Sequence, residues 1–259
     1  MDEEIRDYYA ARREDARLRV EAHGVLERVR TRELLSRFLP SPPAAVLDVG
    51  GATGIHAEWL AELGYAVHVV DPVDEHVELA AAKPGVSAAV GDARWLAEAD
   101  DSQDAVLLLG PLYHLVEASD RQRALAEARR VARPRAPVLA AGISRHACLI
   151  DLGVDGRLTA EVESFLEDLH ETGRFQGGVV GFTTAYLHRP EALAAELQEA
   201  GLSDVAVFGI EGPAGPALRM LGMDRLDELL DSAVRAARLA EQDPALIAAS
   251  GHLLAVGRA

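Results

Sequence analysis

The sequence predicts an α/β fold in which helices cover both faces of a mostly parallel sheet. Short apolar runs alternate with longer amphipathic segments along most of the chain, and this alternation is typical of repeated strand–helix units. The runs are apolar at nearly every position, as in AVLLLG at 105–110. Strands that are buried on both faces of a sheet have this composition. Together these two observations predict a doubly wound architecture.

The elements of this architecture follow in order from the N-terminus. Residues 2–22 and 24–38 predict two charged amphipathic helices, and a proline cluster that begins at Pro40 ends the second one. Five strands then alternate with helices. The predicted strands are 44–49, 66–70, 86–90, 105–109 and 136–141, and the predicted helices between them are 55–63, 75–82 and 120–132.

The regular alternation stops after the fifth strand. Residues 144–189 hold a predicted helix and a glycine-rich segment, and residues 211–243 hold a second predicted helix. We expect both insertions to form a cap over a substrate site, because the sheet constrains such segments least. The remaining predicted elements are helices at 159–171, 190–200 and 224–240 and strands at 204–210 and 252–256. The whole chain, 1–259, is predicted to be a single domain.

Charge and composition restrict the expected partners and compartment. The formal net charge is −16, from 26 basic and 42 acidic side chains. An acidic surface repels phosphate backbones and anionic lipids, so we expect neither a nucleic-acid nor a membrane partner. Cys148 is the single cysteine, which excludes an intramolecular disulfide framework and a cysteine-based zinc site. With no visible signal peptide and no long apolar run, a cytoplasmic location is expected, while the oligomeric state is left open.

A turn of small residues follows the first predicted strand. Asp48 lies near the end of that strand, and Gly50, Gly51, Ala52 and Gly54 follow before the next helix begins. A turn without bulky side chains allows a ligand to approach the backbone closely. The helix that starts there offers free N–H donors and the positive end of its dipole. The segment therefore predicts a binding site for a nucleotide-like ligand.

The second strand leads into an acidic residue, Asp71, which lies 21 positions after Gly50. A carboxylate at this edge accepts hydrogen bonds from ribose hydroxyls in many nucleotide-binding folds. A nicotinamide dinucleotide site would need the pattern Gly-x-Gly-x-x-Gly. Counted from Gly50, the next two glycine positions hold alanine and isoleucine, and counted from Gly51 they hold threonine and histidine. The dinucleotide pattern fails in both registers, which argues against an NAD-linked oxidoreductase.

The turn resembles motif I of the class I methyltransferases that depend on S-adenosyl-L-methionine (SAM). In LDVGGATG, Asp48, Gly50 and Gly54 match the pattern D/E-x-G-x-G-x-G, and Ala52 replaces the middle glycine. Gly51 lies within the same motif. We expect the small alanine to displace the cofactor only slightly.

Two further segments resemble the next motifs of this family. VVDP places Asp71 as the ribose-binding acid, with Pro72 beside it. VGDAR places Asp92 opposite the adenine amino group, and Ala93 would contribute its backbone. Leu109, at the end of the fourth predicted strand in DAVLLLGPLYHL, is a further expected cofactor contact.

The resemblance implies a fold and a reaction. The fold is a seven-stranded sheet in the order 3-2-1-4-5-7-6, with the last strand antiparallel. The reaction is transfer of a methyl group from SAM to an O, N or C nucleophile of a small molecule. Two alternatives keep the cofactor: a SAM-dependent cyclisation or elimination on the same fold, and a non-catalytic SAM-binding subunit.

Tyr113 and His114 follow the fourth strand and are the candidate catalytic residues. His114 would act as a general base or orient a substrate oxygen, since imidazole titrates near neutrality; the alternative is a structural hydrogen bond. Tyr113 would form a wall of the pocket. In related methyltransferases an N-terminal helix folds over the cofactor, which implies that residues 1–38 form a lid and that Tyr8 closes the site. The alternative for Tyr8 is ordinary helix packing.

A metal ion is not expected. His146, His170 and His188 fall in or beside the predicted cap, and His114 is a fourth imidazole near the site. No two of them have the HxH or HxxxH spacing that metal sites often use. Arg17 is one of several N-terminal arginines, any of which could meet the carboxylate of SAM.

Overall fold

The structure, a computed structural model, describes residues 14–177 and 182–259. Tyr8 and most of the first predicted helix lie outside these residues. The first half of the chain contains, in order, α1 (Glu14–Val20), α2 (Ala22–Phe38), β1 (Ala45–Val49), α3 (Ile55–Glu62), β2 (Ala66–Asp71), α4 (Asp74–Ala81), β3 (Val86–Val90), β4 (Ala105–Leu108), α5 (Pro111–His114) and α6 (Ala118–Val131). The second half contains β5 (Pro137–Ser144), α7 (Ala147–Val154), α8 (Ala160–Thr172), β6 (Arg174–Phe175), β7 (Ala185–His188), α9 (Pro190–Glu199), β8 (Ser203–Gly209), α10 (Gly215–Leu221), α11 (Leu226–Ala240) and β9 (His252–Arg258).

One mixed sheet organises these elements. Strands β3, β2, β1, β4 and β5 lie side by side and run parallel. Strand β9 runs antiparallel to β5 along its length and pairs with β8 on its other side. With β8 and β9 as the sixth and seventh predicted strands, the order 3-2-1-4-5-7-6 and the α/β fold are confirmed. No helix in the described ranges combines the length and apolarity needed to cross a membrane.

The two faces of the sheet build two apolar clusters because successive strand residues point to opposite sides. Leu47 on β1 packs in one cluster with Leu125 on α6, and the neighbouring Val46 packs in the other with Leu60 on α3. All four side chains are fully buried. Burying a leucine or valine side chain contributes roughly 1.5–3 kcal/mol to stability. This packing holds the carboxyl ends of the parallel strands at one edge of the sheet.

The region after β5 differs most from the sequence prediction. The fifth strand ends three residues later than predicted, at Ser144, and the glycine-rich segment contains the short strands β6 and β7, where no strand is predicted. Strand β7 pairs in parallel with the end of β5, through Ile143 with Leu187 and Ser144 with His188. Strands this short carry too few positions to show an alternating pattern, so their formation depends on the neighbouring β5.

A buried ion pair fastens α2 to the end of α11. Arg30 is fully buried, and its guanidinium donates to Glu241 Oε2 at 2.5 Å and to Glu33 Oε2 at 2.5 Å. Its Nε also donates to the carbonyl of Ile210 at 3.3 Å. A buried guanidinium that loses a partner is left with uncompensated charge, so this contact should contribute strongly to the position of α2.

We therefore expect Glu241→Gln to lower the free energy of unfolding by about 3 kcal/mol, because it leaves Arg30 buried with one carboxylate fewer. Urea unfolding followed by circular dichroism measures the change. Asp231→Asn is the matched control, since Asp231 and its partner Arg235 are both exposed and such pairs contribute less than about 1 kcal/mol. Equal losses in the two variants would contradict the assigned role of Arg30.

Candidate functional site

A cavity lies at the carboxyl ends of β1, β2 and β4, and we call it the edge cavity. Most of the site residues predicted from the sequence line it: Asp48, Gly50, Gly51, Ala52, Asp71, Pro72, Asp92, Ala93, Leu109, Tyr113 and His114. These residues come from four separate segments of the chain, and the parallel sheet brings them together because it places the ends of successive strands at one edge.

The turn after β1 requires glycine at two positions for lack of space. A Cβ on Gly50 would lie 2.7 Å from Pro111 Cγ, and a Cβ on Gly51 would lie 2.6 Å from Asp48 Oδ2. Gly50 also has a φ of +69°, and its N–H donates to the carbonyl of Val70 at 2.7 Å. The backbone of this turn therefore has no side chains at these two positions and is hydrogen-bonded to β2. The absence of side chains leaves the backbone accessible from the cavity.

Ala52 and Gly54 have different places in the same turn. Ala52, which replaces the middle glycine of the motif, has a φ of +47° and so takes the left-handed conformation that glycine favours. Its N–H donates to Asp71 Oδ2 at 3.0 Å. Gly54 also has a positive φ, but it begins α3 and packs toward Ala80 behind the turn. Unlike its neighbours, Gly54 is outside the described lining of the edge cavity.

The carboxylate of Asp71 is buried and holds several donors. Its Oδ1 accepts the backbone N–H of Val73 at 3.0 Å and lies 3.1 Å from His76 Nδ1, while Oδ2 accepts the N–H of Ala52. An ionised carboxylate offers about four lone-pair positions, so this arrangement leaves capacity for one more donor. Asp71 therefore shapes the turn and can also bind a ligand.

Asp48 is a buried carboxyl group with an unused acceptor. The residue is 1% exposed, and its Oδ1 has no hydrogen-bond partner among the described residues. Burial, and then the nearby negative charge of Asp71, raise the pKa of Asp48 to about 7. A buried acceptor without a partner is costly, so a ligand that brings a donor or a positive charge would be favoured here.

Asp92 is oriented by an arginine. Arg94 donates to Asp92 Oδ1 at 2.9 Å and to Oδ2 at 2.7 Å, and these hydrogen bonds hold the pKa of Asp92 below its usual value. Asp120 accepts from the same guanidinium at 2.8 Å. The carboxylate of Asp92 is thus ionised and fixed in place at the rim, next to the buried Ala93.

Tyr113 and His114 lie on α5, the short helix that follows β4. Burial lowers the pKa of His114 to about 4, although a hydrogen bond with the backbone of Thr184 acts in the opposite direction. The ring of His114 packs against Tyr113, with centroids 4.6 Å apart, and against Phe182 at 6.1 Å. The imidazole is therefore neutral at neutral pH and is only a weak base.

A second cavity adjoins the first, and we call it the cap cavity. Its walls include residues of the predicted cap insertions, among them Phe175 and Phe182. Arg17, Tyr113 and His252 line both cavities. A ligand in one cavity would therefore meet a ligand in the other at these three side chains.

A cluster of charged groups stands at this junction, and the sequence analysis missed most of it. His252 Nδ1 lies 2.5 Å from Glu211 Oε1 and 3.6 Å from Glu27 Oε2. Arg17 donates to both oxygens of Glu27, at 2.7 and 3.1 Å. The guanidinium of Arg17 already forms an ion pair with Glu27. The cluster therefore contains two carboxylates and two cations, whose charges cancel. Its members come from distant segments of the sequence and share no motif, so no local sequence pattern predicts the cluster.

His56 also lines the edge cavity, and the sequence analysis did not assign it to the site. It lies two positions after Gly54, so its closeness to the motif was an available signal. Burial, and then the nearby Arg32, lower the pKa of His56 to about 4. Its Nδ1 has no partner among the described residues, which makes it a further polar group available to a ligand.

The histidines considered for a metal site do not gather at one point. His170 Nε2 lies 2.8 Å from His146 Nδ1, whereas His188 lies 3.3 Å from a carboxylate oxygen of Glu196. His114 packs against Phe182 instead. The absence of a metal ion stays a prediction.

Comparisons with known proteins agree with this geometry. A family described as a methyltransferase domain matches residues 46–135. An uncharacterized methyltransferase of Mycobacterium tuberculosis is 39% identical over 103 residues, which are 39% of this chain and 41% of the relative. The chain thus spans about two fifths of the length of the curated relatives it matches.

Solved structures share the fold over nearly the whole chain. A SAM-dependent methyltransferase of Thermotoga maritima aligns with a TM-score of 0.62 and 18% identity, over 98% of each chain. The cyclase SpnF aligns with a TM-score of 0.55 and 18% identity, over 90% of this chain and 80% of its own. At these identities the likeness shows the fold alone.

The raised pKa of Asp48 predicts how stability depends on pH in the ligand-free protein. Folding favours the protonated form, so the stabilisation is complete below about pH 4 and is lost as the pH rises through about 7. Asparagine stays neutral, so Asp48→Asn should gain melting temperature relative to the wild type as the pH rises from about 4 to about 7.

Thermal unfolding at several pH values measures this difference. Asp74→Asn, at an exposed position in the first turn of α4, is the control and should follow the wild type at every pH. A melting difference for Asp48→Asn that does not change with pH would show that Asp48 titrates normally.

Proposed function

The chain carries a methyltransferase domain of the class I, SAM-dependent kind, and from this premise we propose that it transfers a methyl group from SAM to an O, N or C nucleophile of a small molecule. The observation that supports the proposal most is the edge cavity. It gathers a glycine turn and the carboxylates at or just after the ends of β1, β2 and β3, and it contains a buried acceptor, Asp48 Oδ1, that has no hydrogen-bond partner among the described residues.

The groups that line the edge cavity fit the parts of SAM. Asp71 retains capacity for a ribose hydroxyl, and the fixed carboxylate of Asp92 suits the adenine amino group, with Ala93 and Leu109 as apolar neighbours. Asp48 suits the ammonium of the amino-acid part, because a positive charge favours the ionised carboxylate. Gly50 and Gly51 allow the ligand to approach, and Ala52 and Pro72 complete the wall.

The chemistry asks little of the protein beyond positioning. When bound, SAM supplies an electrophilic methyl group on its sulfonium. The chain has to hold the acceptor in line with that group and to exclude water. In the proposal, Tyr113 forms the wall between the cavities. The neutral His114 orients an acceptor oxygen as a hydrogen-bonding partner.

The cap cavity supports a small-molecule acceptor. It is a recess lined by aromatic side chains, such as Phe175 and Phe182, and by charged ones, such as Asp151 and Arg219. Concave sites that combine apolar walls with polar groups suit metabolites. The net charge of −16 opposes a nucleic-acid acceptor. We propose that the insertions 144–189 and 211–243 determine which molecule enters. The proposed lid of residues 1–38 includes Tyr8, which lies outside the described residues.

A SAM-dependent cyclisation is kept as a second candidate function. The fold similarity to the cyclase SpnF favours keeping it, because one fold can host different reactions. A non-catalytic SAM-binding subunit is the third candidate. The geometry of the edge cavity serves all three, so the products of the reaction must separate them.

Binding of S-adenosylhomocysteine tests the cofactor assignment. Calorimetric titration should show micromolar affinity, and NAD should not bind. Asp71→Ala should weaken binding by about tenfold to a hundredfold, since it removes hydrogen bonds to a charged acceptor. Because Asp71 also holds the N–H of Ala52, melting temperatures must confirm that the variant is folded.

Asp74→Ala is the matched control, because this exposed aspartate lies three positions away, in the first turn of α4. It should bind S-adenosylhomocysteine as the wild type does. Absence of binding to the folded wild type would refute the proposed function. Equal affinity in the two variants would instead refute the role of Asp71.

Product analysis distinguishes the candidate reactions. Incubation with SAM and a panel of small hydroxyl, amine and carbon acceptors should release S-adenosylhomocysteine together with a methylated product. Release of methylthioadenosine would support the cyclisation instead. Tight SAM binding without turnover of any acceptor would favour the non-catalytic subunit.

A further inference from the structure

His252 stands at the boundary between the edge cavity and the cap cavity. If the methyl donor occupies one cavity and the acceptor the other, the reacting atoms meet at this boundary. The described residues that line both cavities are Arg17, Tyr113 and His252. The guanidinium of Arg17 cannot accept a proton at neutral pH, and a phenol titrates near pH ~10. His252 is therefore the residue of the three that is suited to proton transfer.

The topology of the sheet explains how His252 reaches this place. Strand β9 runs antiparallel to β5, so its first residue, His252, pairs with Ile143 near the carboxyl end of β5. Glu211 follows β8, which reaches the same edge because Gly209 pairs with Leu253. The two side chains are 41 positions apart in the sequence, and they meet only because both strands end at the edge that holds the cavities.

Glu211 fixes the orientation of the imidazole. Its Oε1 lies 2.5 Å from His252 Nδ1, and its Oε2 accepts the backbone N–H of His252 at 2.9 Å. The carboxylate therefore holds the hydrogen on Nδ1. Nε2 has no partner among the described residues, and the side chain is 24% exposed. A carboxylate on Nδ1 and a free Nε2 form the arrangement of an oriented general base.

We propose that His252, oriented by Glu211, is the catalytic base that takes the proton of the acceptor, and that the acceptor is therefore a hydroxyl or an amine that still carries its proton. This inference rests on the proposed methyl transfer and narrows its substrate class. An electron pair of the acceptor atom forms the bond to the methyl carbon, and the acceptor's proton passes to Nε2 of His252. The pair of the broken S–CH₃ bond remains on sulfur, which leaves as a neutral thioether.

The charges around His252 suit this role. Burial acts to lower the pKa of His252, but the carboxylates of Glu27 and Glu211 raise it to about 9, against a smaller opposing effect of Arg17. Without a ligand, the ring is mostly protonated at neutral pH. A sulfonium placed in the edge cavity adds a positive charge, which disfavours the imidazolium. Binding of SAM would then move the pKa toward the working pH, where a general base is most effective.

His114 is less suited to take the proton. Its lowered pKa of about 4 makes it a weak base, and it lines the edge cavity but not the described wall of the cap cavity. For an acceptor found by product analysis, His252→Gln should lower kcat by about a hundredfold or more, with unchanged affinity for S-adenosylhomocysteine. His114→Asn should have the smaller effect on kcat.

The decisive experiment needs no acceptor. Imidazole ¹⁵N NMR of the full chain, with labelled histidine and in the presence of EDTA, follows the titration of His252. The signal of His252 is assigned as the one that is missing from the spectrum of His252→Gln. The protein is saturated in turn with SAM and with S-adenosylhomocysteine, which differ by the methyl group and its positive charge. Glu211→Gln serves as the second variant. His188 is the internal control, because it lines neither cavity and pairs with Glu196.

We expect the pKa of His252 to be at least about one unit lower with SAM than with S-adenosylhomocysteine, and to fall by about 1–3 units in Glu211→Gln. The titration of His188 should be the same with both ligands. If both ligands bind and His252 titrates identically with each, His252 is a structural ion-pair residue and the inference is wrong, while the proposed function stands. If neither ligand binds the folded protein, the proposed function itself fails.

Discussion

The carboxylate of Asp71 is the contact on which the geometry of the edge cavity depends. It takes the N–H of Ala52 and so holds the turn after β1 in a left-handed conformation that alanine rarely adopts. It also takes the N–H of Val73 and faces His76, so one buried group ties β1, β2 and α4 together. Its negative charge helps to raise the pKa of Asp48. The shape of the turn and the electrostatics of the cavity floor therefore share a single cause.

Among the imidazoles that line the edge cavity, those of His56, His114 and His252 have shifted pKa values, and the cause of each shift is local. At His56 and His114 desolvation outweighs the opposing effect of a carboxylate, Glu27 and Asp71 respectively, so the pKa of each falls to about 4. His252 is also desolvated, yet Glu27 and Glu211 raise its pKa to about 9. At neutral pH the rings of His56 and His114 are therefore neutral, and the ring of His252 is cationic. When the surroundings separate the pKa values of chemically identical groups in this way, the groups can have different roles in one site.

The N-terminal helices connect the stability of the fold to this site. Arg30 on α2 is fully buried and paired with Glu241, which anchors the helix against the far end of the chain. On the same helix, Glu27 lies one turn before Arg30 and Thr31 directly follows it, and both line the edge cavity. The ion pair of Arg17 with Glu27 then joins α1 to α2. Arg30 therefore supports the helix that carries Glu27, a member of the charged cluster at the junction of the cavities.

The sequence by itself determined the succession of strands and helices along the chain and the floor of the cavity, while the order of the strands in the sheet was implied by the resemblance to the methyltransferase family. Asp48, Asp71 and Asp92 each follow an apolar run, and residues at the ends of successive parallel strands must meet at one edge. Local patterns carry that information, because a strand and the turn after it are neighbours in the chain. Glu27, Glu211 and His252 carry no such pattern. They meet because β9 runs antiparallel to β5 and because α2 packs over the sheet edge, and only the tertiary structure decides such contacts between segments that are distant in the sequence.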